Sequence, residues 1–146
     1  MNFLSISKSG LVLAILLALA GCSLVSISPY DGSADKAITK LHKQTAEFFA
    51  ESATSSDELG CGYSHYLSFY QNSKVSMGSL LVRARAMADN DLTVSQLELL
   101  SSSYVNLAQL HQLGCFTLAQ VNELWTSFDA SFSAILTLEL AKKYGR

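Results

Sequence analysis

From Ala34 onward the apolar residues of this chain return every three or four positions, in four separate runs. That spacing demands helices that each bury one face. The first run predicts a helix from about Ala34 to Ser55, with Ile38, Leu41, Thr45 and Phe48 on one stripe and Phe49 beside it. Its stripe weakens at Ser52, and Ser55-Ser56-Asp57 and Gly60 mark the exit. The second helix, about Gly62 to Ala88, presents Tyr66, Phe69 and Tyr70, then Met77, Leu80, Leu81, Ala84 and Met87. Between those groups Gln71-Asn72-Ser73-Lys74 and Gly78 lower helix propensity and invite a kink.

The third and fourth runs open on capping-box patterns, Thr93-Val94-Ser95-Gln96 and Thr117-Leu118-Ala119-Gln120. In such a box the Thr hydroxyl accepts from an orphan amide and the Gln reaches back to the cap. The third helix presents Leu97, Leu100, Tyr104, Leu107 and Leu110, and stops at Gly114, where a left-handed residue is wanted. The fourth presents Val121, Leu124, Trp125, Phe128, Phe132, Ile135 and Leu136. It closes on Lys142, Lys143 and Gly145, cations that suit the negative end of a helix dipole. Connections of about four to six residues make neighbouring helices antiparallel. The expected architecture is all-α: an up-down-up-down four-helix bundle over residues 34–146, with Phe48, Leu80, Leu107 and Phe128 meeting inside. Residues 22–33 read as a short tether, because Pro29 and Asp31-Gly32-Ser33 oppose regular structure.

The start of the chain has a different logic. Lys8 is the only charged residue before an apolar run, Leu11-Val12-Leu13-Ala14-Ile15-Leu16-Leu17-Ala18, which ends in small residues. Basic start, apolar middle and small-residue exit mark a secretory signal. Leu19-Ala20-Gly21-Cys22 resembles the lipobox of bacterial lipoproteins at every position. The resemblance implies that residues 1–21 are removed, that the Cys22 thiol receives a diacylglyceryl group, and that the new amine is acylated, for instance by palmitate. Two or three acyl chains anchor stably where one does not. In lipoproteins of two-membraned bacteria, Asp after the lipidated cysteine retains the protein at the inner membrane. Ser23 stands there, which implies the outer membrane, facing the periplasm. Beyond this box the mature part is similar to small uncharacterised helical lipoproteins of proteobacteria, a likeness that carries no functional residues.

Cleavage would leave nine basic side chains (ten less Lys8) against twelve acidic ones, a formal charge of −3. That is no footprint for nucleic acid, and no polybasic cluster follows the lipidation site to bind anionic lipid. The chain has no Gly-x-Ser-x-Gly turn, no His-Glu-x-x-His, no Glu-x-x-His, no haem-attachment motif and no phosphate-binding glycine loop. His42, between Leu41 and Lys43, reads as a solvated surface residue. No catalytic residue and no cofactor other than the covalent lipid is expected.

Cys61 and Cys115 remain. In the expected topology one starts the second helix and the other lies between the third and fourth, so both fall at the end of the bundle opposite Cys22. Exported cysteines placed together form a disulfide. A second reading uses the same place: Cys61 with His65, and His111 with Cys115, each pair four residues apart, supply the two sulfurs and two nitrogens of a structural zinc site. Tyr63, Tyr66, Phe69, Tyr70 and Phe116 gather nearby, either as core with wetted hydroxyls or, through Tyr63, Tyr66, Tyr70 and Phe116, as a patch for a partner. Two function classes follow. One is a membrane-anchored structural or interaction module of the cell envelope. The other is a carrier or sensor holding a small apolar ligand or a metal ion.

Overall fold

The computed structural model describes residues 27–54 and 58–145, and the expected signal segment and Cys22 lie outside the described residues. Four long helices make up most of it: α1 Gly32–Thr54, α2 Leu67–Arg85, α3 Asp91–Gln112 and α4 Leu118–Lys143. A single helical turn, Glu58–Cys61, and a 3₁₀ turn, Tyr63–Tyr66, precede α2. Each long helix packs on two others, α1 on α2 and α4, and α3 on α2 and α4. This is the expected antiparallel four-helix bundle. The expected second helix is shorter at both ends, since the chain around Gly62 is 3₁₀ rather than α and Ala86 already begins a turn. Its middle runs unbroken through Lys74 and Gly78.

Apart from Phe49 and Val121, the buried positions of the long helices follow one rule, alternating steps of four and three. They are Ala34, Ile38, Leu41, Thr45, Phe48 and Ser52 on α1; Tyr70, Ser73, Met77, Leu80 and Ala84 on α2; Thr93, Leu97, Leu100, Tyr104, Leu107 and His111 on α3; and Phe128, Phe132, Ile135 and Glu139 on α4. Such spacing is the pattern expected of bundle helices, which commonly cross at about 20°. Phe48, Leu80, Leu107 and Phe128 all belong to the one core cluster. They do not form one layer, however: Phe48 stacks on Phe69, with ring centroids 4.1 Å apart. Leu80 therefore lies roughly 16 Å further along α2, at about 1.5 Å per residue.

Several seam positions are polar: Ser52 donates to the Phe48 carbonyl of its own helix at 2.8 Å, and the others find partners on another element. Tyr104 of α3 has its hydroxyl against Thr45 of α1 and Ser73 of α2. Ser73 is small where the phenol crosses the interior. Burial pushes the Tyr104 phenol well above its ordinary pKa, so it stays neutral.

At the end where the described chain begins (the near end) the polar contacts form a network. Asp31 does not oppose the helix but starts it: its carboxylate accepts from the Ser33 and Ala34 amides at 2.9 and 3.2 Å. The same carboxylate takes both Nε and Nη2 of Arg83 on α2. That guanidinium holds the Asp31 carboxyl below the usual carboxylate range. From Ser28 on, the expected tether is docked. The Ser28 amide donates to the Asp89 carbonyl at 3.0 Å, and its hydroxyl to Asn90 Oδ1 at 2.7 Å.

The same corner overturns the Thr93 capping box. The helix begins two residues earlier, at Asp91, and the Thr93 side chain is buried. Its hydroxyl donates to Glu139 Oε1 at 3.2 Å and accepts from Lys142 Nζ at 2.6 Å. Lys142 also donates to Asn90 Oδ1 at 2.7 Å and to Glu139 Oε1 at 2.6 Å. Lys142 thus answers a buried carboxylate rather than only the helix dipole. The Thr117–Gln120 box of α4 is formed as expected.

The Glu139 and Lys142 side chains are 2 % and 3 % exposed. Removing one partner of such a pair leaves an uncompensated buried charge, at a cost of about 3–5 kcal/mol. Lys142→Met should therefore lower unfolding stability by roughly that much, and adding Glu139→Leu should recover most of it. Urea unfolding of the single and double variants checks this; equal losses in both would refute it.

Candidate functional site

The far end of the bundle is built around Cys61 and Cys115, which are joined in a disulfide with Cα atoms 5.4 Å apart. Cys61 ends the one-turn helix before α2, and Cys115 lies in the α3–α4 connection, Leu113–Thr117. Two local devices shape that connection. Gly114 has φ +151°, where an L side chain is strained. Thr117 caps α4 by accepting from the Gln120 amide, while the Gln120 side chain accepts from the Thr117 amide.

His111 sits directly under this connection, and the step of four from Leu107 puts it in the seam instead of Leu110, which is 37 % exposed. Its Nε2 lies 2.6 Å from the Cys61 carbonyl and its Nδ1 2.7 Å from the Tyr70 hydroxyl. A carbonyl can only accept, so Nε2 carries the proton and Nδ1 accepts from Tyr70. The neutral imidazole thus ties α3 to α2 and to the backbone of the disulfide. Phe116 covers the ring, with centroids 4.5 Å apart. Burial lowers the His111 pKa and raises that of the Tyr70 phenol.

This geometry does not present the four groups of the zinc reading as a ligand set. The two sulfurs are bonded to each other, and both His111 nitrogens are engaged within the protein. His65 is exposed and lies edge-on to the Tyr66 ring. Among the described residues no group of three or more His, Cys, Asp or Glu could hold a metal ion. The tyrosine patch changes as well. Tyr66 and Tyr70 are core residues, while Tyr63 and Phe116 pack half-buried against them. The Tyr70 hydroxyl is not wetted but spent on His111.

What the far end does expose is leucine. Leu113 is 84 % and Leu118 61 % exposed, one on each side of the disulfide-held connection. Neither lies on a core stripe, so neither stands out from apolar periodicity alone. A signal was present: no charged residue occurs between Glu98 and Glu123. Between α2 and α3 a surface groove of about 380 Å³ is lined by Tyr63, Leu67, Tyr70, Met77, Tyr104 and Val105, among others. His42, expected to be solvated, is half-buried, pairs with Asp129 of α4 at 2.8 Å and stacks on Trp125.

Comparison of the chain with protein families, with curated proteins and with solved structures returns no match.

Two outcomes follow from the clasp. The disulfide spans 54 residues, and closing a loop of that length removes chain entropy worth about 4 kcal/mol. Cys61→Ser with Cys115→Ser should lose roughly that much stability while keeping the helical circular dichroism. His111 adds a pH dependence. Its folded pKa lies below the ordinary 6.5, so between those values the unfolded chain holds the extra proton. The stabilisation is complete above about pH 6.5 and is lost as pH falls through the folded value. Unfolding midpoints measured from pH 7.5 to 5 should fall, and His111→Gln should flatten the slope; an unchanged slope in the variant would refute the assignment.

Proposed function

We propose that the protein is a lipid-anchored module of the cell envelope. It is held through Cys22 at the periplasmic face of the outer membrane, and it acts by contact with a protein partner rather than by catalysis. The observation that carries this reading is the opposition of the two ends. Ser28 comes only six positions after Cys22, and its amide and hydroxyl are bonded at the near end. Six residues reach at most about 20 Å. A lipid on Cys22 would therefore hold the near end close to the membrane. The far end would stand away from it by the length of α4, whose 26 residues span about 39 Å. What stands there is Leu113 and Leu118 on a connection fixed by a disulfide, a capping box and His111. Preorganised apolar side chains bind at lower entropic cost than mobile ones.

A photo-crosslinking residue at position 113, 118 or 140 tests this in intact cells. Leu140 is also exposed but lies near the other end. Positions 113 and 118 should capture the same partner and position 140 should not. Capture at 140 alone, or none above background, contradicts the proposal. Cys22→Ala should release the protein from the membrane fraction.

A second reading has one observation in its favour. The groove between α2 and α3 falls within the roughly 300–1,000 Å³ range of small-molecule sites. A carrier would hold its apolar ligand there, on the surface of a filled bundle. A ligand retained in native mass spectrometry of protein from envelope extracts, and lost on Val105→Glu, would favour it.

A further inference from the structure

The groove between α2 and α3 has apolar walls and a polar part that the protein itself leaves unused. Leu67, Val105 and Ala108 form the walls with the rings of Tyr63, Tyr70 and Tyr104. The Tyr70 and Tyr104 hydroxyls are already spent on His111 and Thr45, so these two residues offer the groove only their rings. Leu67 and Val105 are 42 % and 55 % exposed, and a chain lying in the groove would cover that surface. The polar part is Gln71, Lys74 and Ser101. Their side chains make no hydrogen bond or ion pair with any described residue. Ser101 differs in this from Ser102 and Ser103, whose hydroxyls donate back to the Glu98 and Leu99 carbonyls at 3.0 Å.

The charge of the groove is one-sided. Lys74 is the only ionic side chain in its lining. No acidic residue lies between Glu58 and Asp89, and none between Glu98 and Glu123, so neither wall offers Lys74 a carboxylate. The pairing of the two helices also gives the groove a direction. Ser73 meets Tyr104 at mid-bundle, whereas Tyr70 meets His111 toward the far end. Lys74 and Ser101 therefore lie toward the middle, and Leu67 and Ala108 toward the tip. Seven positions separate the members of each pair along their own helix, about 10 Å on either wall.

We infer that the groove binds a single-chain carboxylate of the fatty-acid kind, its head on Lys74 and Ser101 and its chain running toward Leu67 and Ala108. A carboxylate only accepts, and an ammonium and a hydroxyl both donate. One cation suits a monoanion. A phosphate monoester, at about −1.5 to −2 near pH 7, would keep uncompensated charge there. Apolar walls with a few convergent polar groups are the general form of small-molecule sites. That ligand rests on the carrier reading of the groove, to which it adds a charge and a direction.

Photo-labelling of the full-length protein in membranes tests it. The probes are decanoate with a diazirine near the chain end and the matching alcohol, with crosslinks mapped by peptide mass spectrometry. Both should label residues 63–71 and 105–108, the acid about threefold more, the modest share that an exposed ion pair contributes. Lys74→Gln should bring the acid down to the level of the alcohol, and Val105→Glu should remove both labels. Both positions are exposed, so neither change enters the core. Equal labelling by acid and alcohol, or acid labelling that survives Lys74→Gln, overturns the carboxylate and leaves the groove as an apolar carrier site. Labelling of both segments no stronger than that of Leu92, exposed at the near end of α3, sinks the carboxylate and the carrier reading together.

Discussion

A polar side chain inside a helical bundle must find its hydrogen-bond partner there, because leaving a buried donor or acceptor unmade costs about 1–3 kcal/mol. Each of the four long helices among the described residues carries at least one in its seam. Thr45 of α1 and Ser73 of α2 meet the Tyr104 hydroxyl of α3; His111 of α3 meets Tyr70 and the Cys61 carbonyl; Glu139 of α4 meets Thr93 and Lys142. Leucine seams tolerate sliding by a turn, since one leucine replaces another. These pairs do not, so they set which level of one helix faces which level of the next. They fall at three heights, near end, middle and far end, and they hold the helices in one register along the whole bundle.

The consequence is a body with two different ends. At the near end Ser28, Asp31, Arg83, Asn90 and Lys142 bind the incoming chain and the last turn of α4 to the α2–α3 connection. At the far end the disulfide and His111 hold the α3–α4 connection against the start of α2. Each end is fastened by its own contacts, roughly 35–40 Å apart along the helices. An anchor at one end and a fixed apolar connection at the other make the bundle a spacer with a defined tip.

The stripes from Ile38 to Leu136 were readable in the sequence because apolar residues advertise their period, and the cysteines were readable because topology alone brings them together. What escaped were the polar seam residues. Ser73 and Glu139 occupy seam positions by spacing, four residues after Phe69 and Ile135, but a polar side chain does not mark an apolar stripe; His111, four after Leu107, stood out only as a candidate metal ligand. Hydrophobicity cannot reveal that a distant Tyr104, Tyr70 or Lys142 will satisfy them. The Thr93 box failed for the same reason: a hydroxyl that can cap a helix can equally be claimed by a buried carboxylate. Asp31 was misread in the other direction, a turn-forming residue that in fact begins α1. Exposed leucines at 113 and 118 showed only as an uncharged stretch, because exposure is a property of the packed bundle.

The claim that the far end is fastened separately, as a preformed tip, is tested most directly by hydrogen exchange on the native protein with the disulfide intact and then reduced. Reduction should speed exchange in residues 58–66 and 113–118, while the amides of Ser28, Asp35 and Val94 at the near end keep their protection. Equal acceleration along all four helices, or no change at the α3–α4 connection, would contradict it.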